Sequence, residues 1–157
     1  MPLLSNGYRF PSLTLGRAGG GELSLPGDLA GSYGVILIYR GSWCPYCNAQ
    51  LAAFSRQLPR LDDAGIKLAA FSVDDEATTL ALQAKHNIAF PLGYGADAEA
   101  VAAATGAYTN PNPRFLQSTG FVLDPDGRVV TAVYSSGAIG RLVPEDVLGF
   151  VRYLQTH

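Results

Sequence analysis

The sequence predicts an α/β protein, a sandwich in which helices cover a mixed central sheet. Apolar runs rich in β-branched residues alternate with segments of helical spacing, and a strand–turn–strand pattern precedes one last helix. The 157 residues are predicted to form one domain, 1–157, with residues 1–33 as an N-terminal extension packed on it.

The first elements follow from local patterns. Within the Gly- and Pro-rich extension, the alternating segments 8–15 and 22–25 predict a β-hairpin arm. The continuous apolar run 35–39 (VILIY) predicts a central strand buried on both faces. A helix is expected from Pro45, because proline suits the first helical position. Pro59 is expected to kink this helix and Gly65 to end it, and its apolar stripe comprises Cys47, Leu51, Phe54, Leu58 and Leu61.

The rest of the chain continues the alternation. Residues 67–73 predict a second buried strand, and 74–87 and 97–106 predict two helices, the latter closed by Gly106. Residues 107–119 are expected to be an irregular loop, and 120–134 an antiparallel hairpin around the turn Asp-Pro-Asp-Gly. The last helix begins near Pro144 and is predicted to bury Val147, Phe150, Val151 and Leu154. The predicted order is β-α-β-α-α-β-β-α.

Composition excludes several kinds of partner. The formal net charge of −2, without a basic run, gives no basis for binding nucleic acid. No cationic amphipathic helix is present, and no apolar run approaches the roughly 18 residues of a spanning helix, so no membrane association is expected. The first residues do not have the pattern of a secretion signal. We therefore expect a cytoplasmic protein, in which lasting disulfides are disfavoured.

Both cysteines lie in the motif Trp-Cys-Pro-Tyr-Cys. Cys44 falls at the carboxyl end of the first central strand and at the N-cap of the first helix, where unpaired N–H groups and the helix dipole favour an anion. A cysteine so placed in a CxxC motif has a depressed pKa, commonly about 3.5–7.5. Cys47 lies one turn into the same helix. We therefore expect Cys44 to attack and Cys47 to resolve the product.

Other roles for the pair are weaker. A structural disulfide is disfavoured because the CxxC loop is too short to constrain much unfolded chain. A zinc site usually needs four Cys or His ligands, and the chain offers only His86 and His157 besides the cysteines. A copper-chaperone site would need a histidine close to the pair, and none is evident. No metal site is expected.

Three segments resemble the thioredoxin-like superfamily, in its peroxiredoxin (alkyl hydroperoxide reductase / thiol-specific antioxidant) branch. They are the motif YRGSWCPYC after a strand, the segment 71–97 with its Phe-Pro-Leu, and the later FVLDPDGRV. The resemblance covers residues 8–155. It implies a three-layer α/β/α sandwich with an N-terminal β-hairpin arm. It also implies reduction of hydroperoxides by Cys44 with Cys47 as resolving cysteine, without a bound cofactor.

The chain departs from that branch at two supporting positions. A typical peroxiredoxin has threonine three residues before its attacking cysteine, whereas this chain has Gly41, with Ser42 as the nearest hydroxyl. The arginine expected before a later strand falls near 117–118, where neither residue is basic. Arg40 and Arg114 are therefore the candidates to supply positive charge. Trp43 and Tyr46 flank the cysteines and could form an apolar rim; core packing is the alternative for Trp43.

Three functions remain open. The first is a peroxidase recycled by an external thiol of thioredoxin or glutathione type; because resolution is intramolecular, either a monomer or a homodimer suffices. The second is a thiol–disulfide oxidoreductase, since Cys-Pro-Tyr-Cys also resembles glutaredoxin. However, the proline that such proteins present before the facing strand is missing, and the nearest is Pro113. The third is a non-catalytic redox-sensing module whose partner contacts the loop 110–113.

Overall fold

A computed structural model describes residues 3–157 of the chain. Two strands come first, then a 3₁₀ turn at Gly27–Leu29. Helices separate the third, fourth, fifth and sixth strands, and the sixth to ninth strands follow one another before the last helix. The strands are β1 (Leu13–Arg17), β2 (Glu22–Leu25), β3 (Tyr33–Ile38), β4 (Ile66–Phe71), β5 (Leu92–Tyr94), β6 (Thr109–Pro111), β7 (Arg114–Leu116), β8 (Thr119–Leu123) and β9 (Val129–Tyr134). The helices are α1 (Pro45–Arg56), α2 (Leu58–Asp63), α3 (Glu76–His86), α4 (Ala98–Thr105) and α5 (Pro144–Thr156).

Seven strands form one mixed sheet in the order β2-β1-β5-β4-β3-β8-β9. The central strand β3 pairs in parallel with β4 and antiparallel with β8. Alternate residues of β3 point to opposite faces, as the period of a strand requires. Val35 and Leu37 join a cluster with side chains of α1, α2, α3 and α5, whereas Ile36 and Ile38 join a cluster with α4 and the N-terminal hairpin. The predicted three-layer sandwich with a mixed sheet is therefore confirmed.

The N-terminal arm is part of this sheet. The two strands of its hairpin, β1 and β2, pair in antiparallel register, and β1 continues the ladder through β5. The hairpin is present as expected. It is not a separate arm packed on the domain, because β1 and β2 form one edge of the central sheet. The sequence did not indicate β5, because three residues are too few to show a period.

Three expectations about the elements need correction. The helix expected to run from Pro45 to Gly65 with a kink is two helices separated at Gln57, because Pro59 lacks an N–H and its ring obstructs the preceding turn. Residues 107–119 are not an irregular loop, since β6 and β7 form a small antiparallel hairpin there. In α5, Val147 and Val151 are buried as expected, while Leu148 takes the place of the partly exposed Phe150 and Leu154.

The helix starts agree with the sequence signals. Asp75 accepts a hydrogen bond from the Thr78 N–H at the start of α3. Asp97 does the same for two N–H groups of α4, and Gly106 ends that helix in the left-handed conformation. Within residues 3–157, no helix is long and apolar enough to cross a membrane.

Gly120 links the sheet to the loop that precedes α5. An ideal Cβ at this position of β8 would lie 2.7 Å from Leu142 Cδ1. We expect Gly120→Ala to lower the free energy of unfolding by about 1–3 kcal/mol, because the core there has no room for a methyl group. Gly137→Ala is the matched control, since its Cβ would meet nothing within 4 Å. Chemical denaturation measures both changes, and equal stabilities of the two variants would contradict the expectation.

Candidate active site

Cys44 lies where the central strand ends and α1 begins. Its backbone is extended, with φ −91° and ψ 110°, and it is the N-cap of the helix. Its Sγ accepts a hydrogen bond from the Cys47 N–H at 3.3 Å, and Pro45 follows in the first turn. Sulfur therefore takes the place that a serine or aspartate oxygen usually has at a helix start. The structure places Cys44 as the strand–helix pattern predicts.

The two cysteines form a close and covered pair. They are 2.6 Å apart and both thiols are free. Each has 0% of its surface exposed. The turn before them is held by its backbone, since the Ser42 N–H donates to Asp74 Oδ2 at 2.8 Å and Asn48 Nδ2 donates to the Ser42 carbonyl at 2.9 Å. Ser42 thus contributes its main chain to the site.

Two guanidinium groups reach the sulfurs. Arg40 Nη1 is 3.9 Å from Cys44 Sγ, and the Arg40 backbone N–H is 3.4 Å from Cys47 Sγ. Arg141 Nη2 is 3.0 Å from Cys47 Sγ and 3.6 Å from Cys44 Sγ. The expectation for Arg40 is met. Arg114 does not reach the sulfurs, because it is the exposed first residue of β7 and pairs with Glu99 at 3.3 Å.

Arg40 is held by three neighbours. Its Nε donates to Gln117 Oε1 at 3.0 Å. Its guanidinium carbon lies 4.9 Å from the Trp43 ring centroid and 5.1 Å from that of Phe115. Trp43 itself remains 54% exposed, so it forms part of the rim of the site, and the alternative of core packing is wrong. Cation–π contact and the amide together orient the arginine toward Cys44.

Arg141 is the site residue that sequence reasoning missed. It belongs to the loop 135–143 between β9 and α5, and its Nη1 donates to the Ala138 carbonyl at 2.6 Å. Gln50 Nε2 donates to the Leu142 carbonyl at 3.0 Å and ties the end of the loop to α1. The guanidinium also lies 5.8 Å from the ring of Tyr46, which is exposed at the rim. The only sequence signal was one basic residue in a Gly- and Ser-containing loop, which is too common to mark a site.

The pKa values of the two thiols are moved in opposite directions. Burial raises the pKa of Cys44, but hydrogen bonds from the Cys47 thiol and N–H and from Arg40, with the charge of Arg141, outweigh it and lower the pKa. Burial raises the pKa of Cys47, and its hydrogen bond to Cys44 adds to that effect despite the opposing Arg40 N–H and Arg141. Of the two thiols, Cys44 is therefore the more readily ionised.

Gly41 has a steric role. A Cβ at this position would overlap Trp43 Nε1 and approach two further indole atoms at 2.9 Å. The indole therefore covers the glycine and leaves no space for the threonine of a typical peroxiredoxin. Beneath the site, burial raises the pKa of Tyr39 to about 12, so this phenol stays neutral where Cys44 reacts.

A thioredoxin-type sandwich with a paired, arginine-bound CxxC motif at a helix N-terminus defines a thiol oxidoreductase. The sequence model of the AhpC/TSA family matches residues 6–132, and the chain belongs to this family. Within the residues that the structure describes, no cluster of three or more metal-ligating side chains is present.

Curated relatives and solved structures agree with this assignment. A peroxiredoxin of Chlorobaculum tepidum is 30% identical over 99% of this chain and 74% of its own length. A putative peroxiredoxin of Mycobacterium tuberculosis is 30% identical over 88% of this chain and 90% of its own length. The Mycobacterium tuberculosis AhpC structure shares the fold with a TM-score of 0.80, at 21% identity, over 99% of this chain and 95% of that one. The chain is a thiol peroxidase of the peroxiredoxin type.

The pKa order of the cysteines can be measured with single-cysteine variants. In Cys47→Ser, we expect thiolate absorbance to appear at a pH below that of an ordinary cysteine, about 8.5, because Arg40, Arg141 and the N-terminal N–H groups stabilise the Cys44 anion. In Cys44→Ser, the absorbance of Cys47 should appear at higher pH. As the pH falls through the Cys44 pKa, thiolate and reactivity are lost together. The reverse order of the two midpoints would contradict the assignment.

The steric role of Gly41 predicts the outcome of restoring the family's threonine. We expect Gly41→Thr to displace the Trp43 indole, loosen Arg40 and slow the reaction of Cys44 by about tenfold or more, as loss of a hydrogen bond to a charged group implies. The tryptophan emission should shift at the same time. Ser42→Thr is the control, because Ser42 lies at the partly exposed turn and acts through its backbone. A faster reaction of Gly41→Thr would contradict this view of the site.

Proposed function

We propose that this protein reduces hydroperoxides with Cys44 as the attacking thiolate and Cys47 as the resolving cysteine. The observation that carries the proposal is the convergence on Cys44 Sγ of the Cys47 N–H, Arg40 and Arg141, at 3.3, 3.9 and 3.6 Å. These donors favour the thiolate, which is the reactive form. They also form a positive site in which the oxygens of a hydroperoxide group can accept hydrogen bonds.

In the first step, Cys44 Sγ attacks the terminal oxygen of the hydroperoxide and the O–O bond breaks. Cys44 becomes a sulfenic acid, and the leaving alkoxide or hydroxide takes up a proton to give an alcohol or water. The arginines assist by binding negative charge as it moves from sulfur to the leaving oxygen. Arg40 suits this role because Gln117, Trp43 and Phe115 hold it in place before the peroxide arrives.

In the second step, Cys47 Sγ attacks the sulfenic sulfur, water leaves and a disulfide forms. The contact of the Cys47 N–H with Cys44 Sγ at 3.3 Å supports this step, because it holds the two residues side by side at the start of α1. Both cysteines belong to one α1 turn, so neither a dimer nor unfolding of a distant segment is required. The mechanism is therefore compatible with either a monomer or a homodimer.

An external thiol closes the cycle. We infer a reductant of thioredoxin or glutathione type, because reduction of a disulfide needs two electrons and the proposed cycle uses no bound cofactor. Such a donor operates in reducing compartments, which is consistent with the expected cytoplasmic location.

Thiol–disulfide exchange is a second candidate, favoured by two observations. The CxxC spacing at a helix N-terminus suits exchange. In addition, Gly41, covered by Trp43, stands where a typical peroxiredoxin has its threonine. The residue before the facing strand β8 is Ser118, where disulfide reductases present a proline. That difference favours peroxide as the substrate. A redox-sensing module remains the third candidate.

Stopped-flow fluorescence distinguishes these functions. Trp43 is the only tryptophan and adjoins Cys44, so its emission should report reactions of the reduced pair. We expect hydrogen peroxide or an organic hydroperoxide to react much faster than with free cysteine, and faster than a model disulfide. A fast reaction with the disulfide and a peroxide rate no greater than that of free cysteine would exclude the peroxidase. Absence of both reactions would favour the sensor.

Single replacements test the two cysteine roles in the same assay. Cys44→Ser should abolish reaction with peroxide. Cys47→Ser should still form the sulfenic acid, which a dimedone adduct detects by mass, but no disulfide. If instead Cys47→Ser is inert and Cys44→Ser reacts, the assignment of the nucleophile is reversed.

A further inference from the structure

Two hydrogen-bond donors of the site, from Arg141 and Arg40, lie against Cys47 Sγ. Arg141 Nη2 lies 3.0 Å from Cys47 Sγ, which is shorter by several tenths of an ångström than its 3.6 Å distance from Cys44 Sγ. The Arg40 backbone N–H also points to Cys47 Sγ, at 3.4 Å. One charged and one neutral donor therefore converge on the sulfur that does not attack peroxide.

The attack of Cys44 on peroxide does not by itself explain why two donors lie at Cys47. Cys47 has no exposed surface and lies in the core cluster with Tyr39, Leu51 and Val35, where an anion without donors would be strongly unfavourable. Formation of the sulfenic acid on Cys44 does not place a charge on Cys47. Breaking the disulfide does, because the sulfur that is not attacked leaves as a thiolate.

We propose that Arg141 is the catalytic residue of the reductive half-reaction, in which it stabilises Cys47 as the leaving thiolate. The inference rests on the proposed function for the roles of the two cysteines. A thiolate of the donor attacks Cys44 Sγ and forms a mixed disulfide. The Cys44–Cys47 bond breaks, and its electron pair passes to Cys47 Sγ, which Arg141 and the Arg40 N–H receive. A second donor thiolate then releases Cys44, so the donor dithiol is oxidised and the protein disulfide is reduced.

The two arginines thereby divide the cycle. The Arg40 side chain reaches Cys44 alone of the two sulfurs, and Gln117 holds it there at 3.0 Å. Arg141 comes from the loop 135–143, whose end is held by Gln50 and by the buried Leu142. Arg40 acts in the attack on peroxide, and Arg141 acts mainly where Cys47 becomes negative. The other titratable group facing Cys47 is Tyr39, which stays neutral.

The test separates the two half-reactions. Wild type, Arg141→Gln and Arg40→Gln are first oxidised with diamide, which forms the disulfide without peroxide. Reduction by dithiothreitol is then followed by Trp43 fluorescence. Arg141→Gln should be reduced about tenfold or more slowly, because a good leaving thiol needs a low pKa. Peroxide oxidation, measured in the Cys47→Ser background, should fall much less than reduction does in Arg141→Gln, because Arg141 Nη2 is 3.0 Å from Cys47 Sγ and 3.6 Å from Cys44 Sγ. Arg40→Gln should slow peroxide oxidation more than reduction.

Two further measurements distinguish catalysis from support of the fold. In the Cys44→Ser background, Arg141→Gln should raise the pH at which the Cys47 thiolate appears, a shift that a merely structural role does not cause. The equilibrium with dithiothreitol should move toward the protein disulfide, by about 30 mV for a tenfold change. Arg141→Lys keeps the charge, so its Cys47 thiolate pH and its equilibrium with dithiothreitol should both lie between those of wild type and Arg141→Gln.

The inference would be overturned if Arg141→Gln slowed both half-reactions equally. It would also be overturned if wild type, Arg141→Lys and Arg141→Gln were reduced at equal rates. If Arg141→Gln does not fold, as judged by circular dichroism, the comparison of wild type with Arg141→Lys decides. Failure of the proposed function would look different. The reduced wild type would then be unreactive toward peroxide, while the diamide-formed disulfide would still depend on Arg141.

Discussion

The capping of α1 by the Cys44 sulfur is the interaction on which the site depends. Because the central strand is buried on both faces, the chain leaves the sheet at a position held by its neighbours on either side. The helix that follows needs an acceptor for its first N–H groups, and the sulfur provides it at 3.3 Å. The same contact that starts the helix stabilises the thiolate. Fold and reactivity therefore share one hydrogen bond.

The surroundings of that sulfur replace the usual support of the family by a different one. Where a typical peroxiredoxin has threonine, this chain has Gly41, and the Trp43 indole occupies the space. The indole in turn stacks on Arg40, and the amide of Gln117 completes its contacts. The donor beside Cys44 is therefore the guanidinium of Arg40, held by an aromatic ring and an amide, in place of a hydroxyl group. With this replacement the Cys44 thiolate is still favoured, but an incoming peroxide meets different residues.

Burial of the pair has a cost that the loop 135–143 offsets. Sulfurs without exposed surface lose the stabilisation that water gives an anion, so an anion there requires strong donors. Arg141 provides one from a segment without regular structure, which α1 holds through Gln50. The stability of a remote packing contact, Leu142 against Gly120, is thereby coupled to the chemistry of the cysteines.

The sequence by itself determined the elements with strong local signals and the position of Cys44 and Cys47 at the start of α1. The run 35–39, Pro45 and the two-residue spacing of the cysteines lie within a few residues of one another, so short-range rules sufficed for Cys44 and Cys47. Only the tertiary structure decided which arginines reach the sulfurs. Gln117 is 77 residues from Arg40, and Arg141 is 97 residues from Cys44, so their contacts depend on how β8 and α5 pack. The three-residue strands escaped prediction because their limits come from neighbours in space. The break at Gln57 has a local cause, Pro59, for which the sequence predicted only a kink.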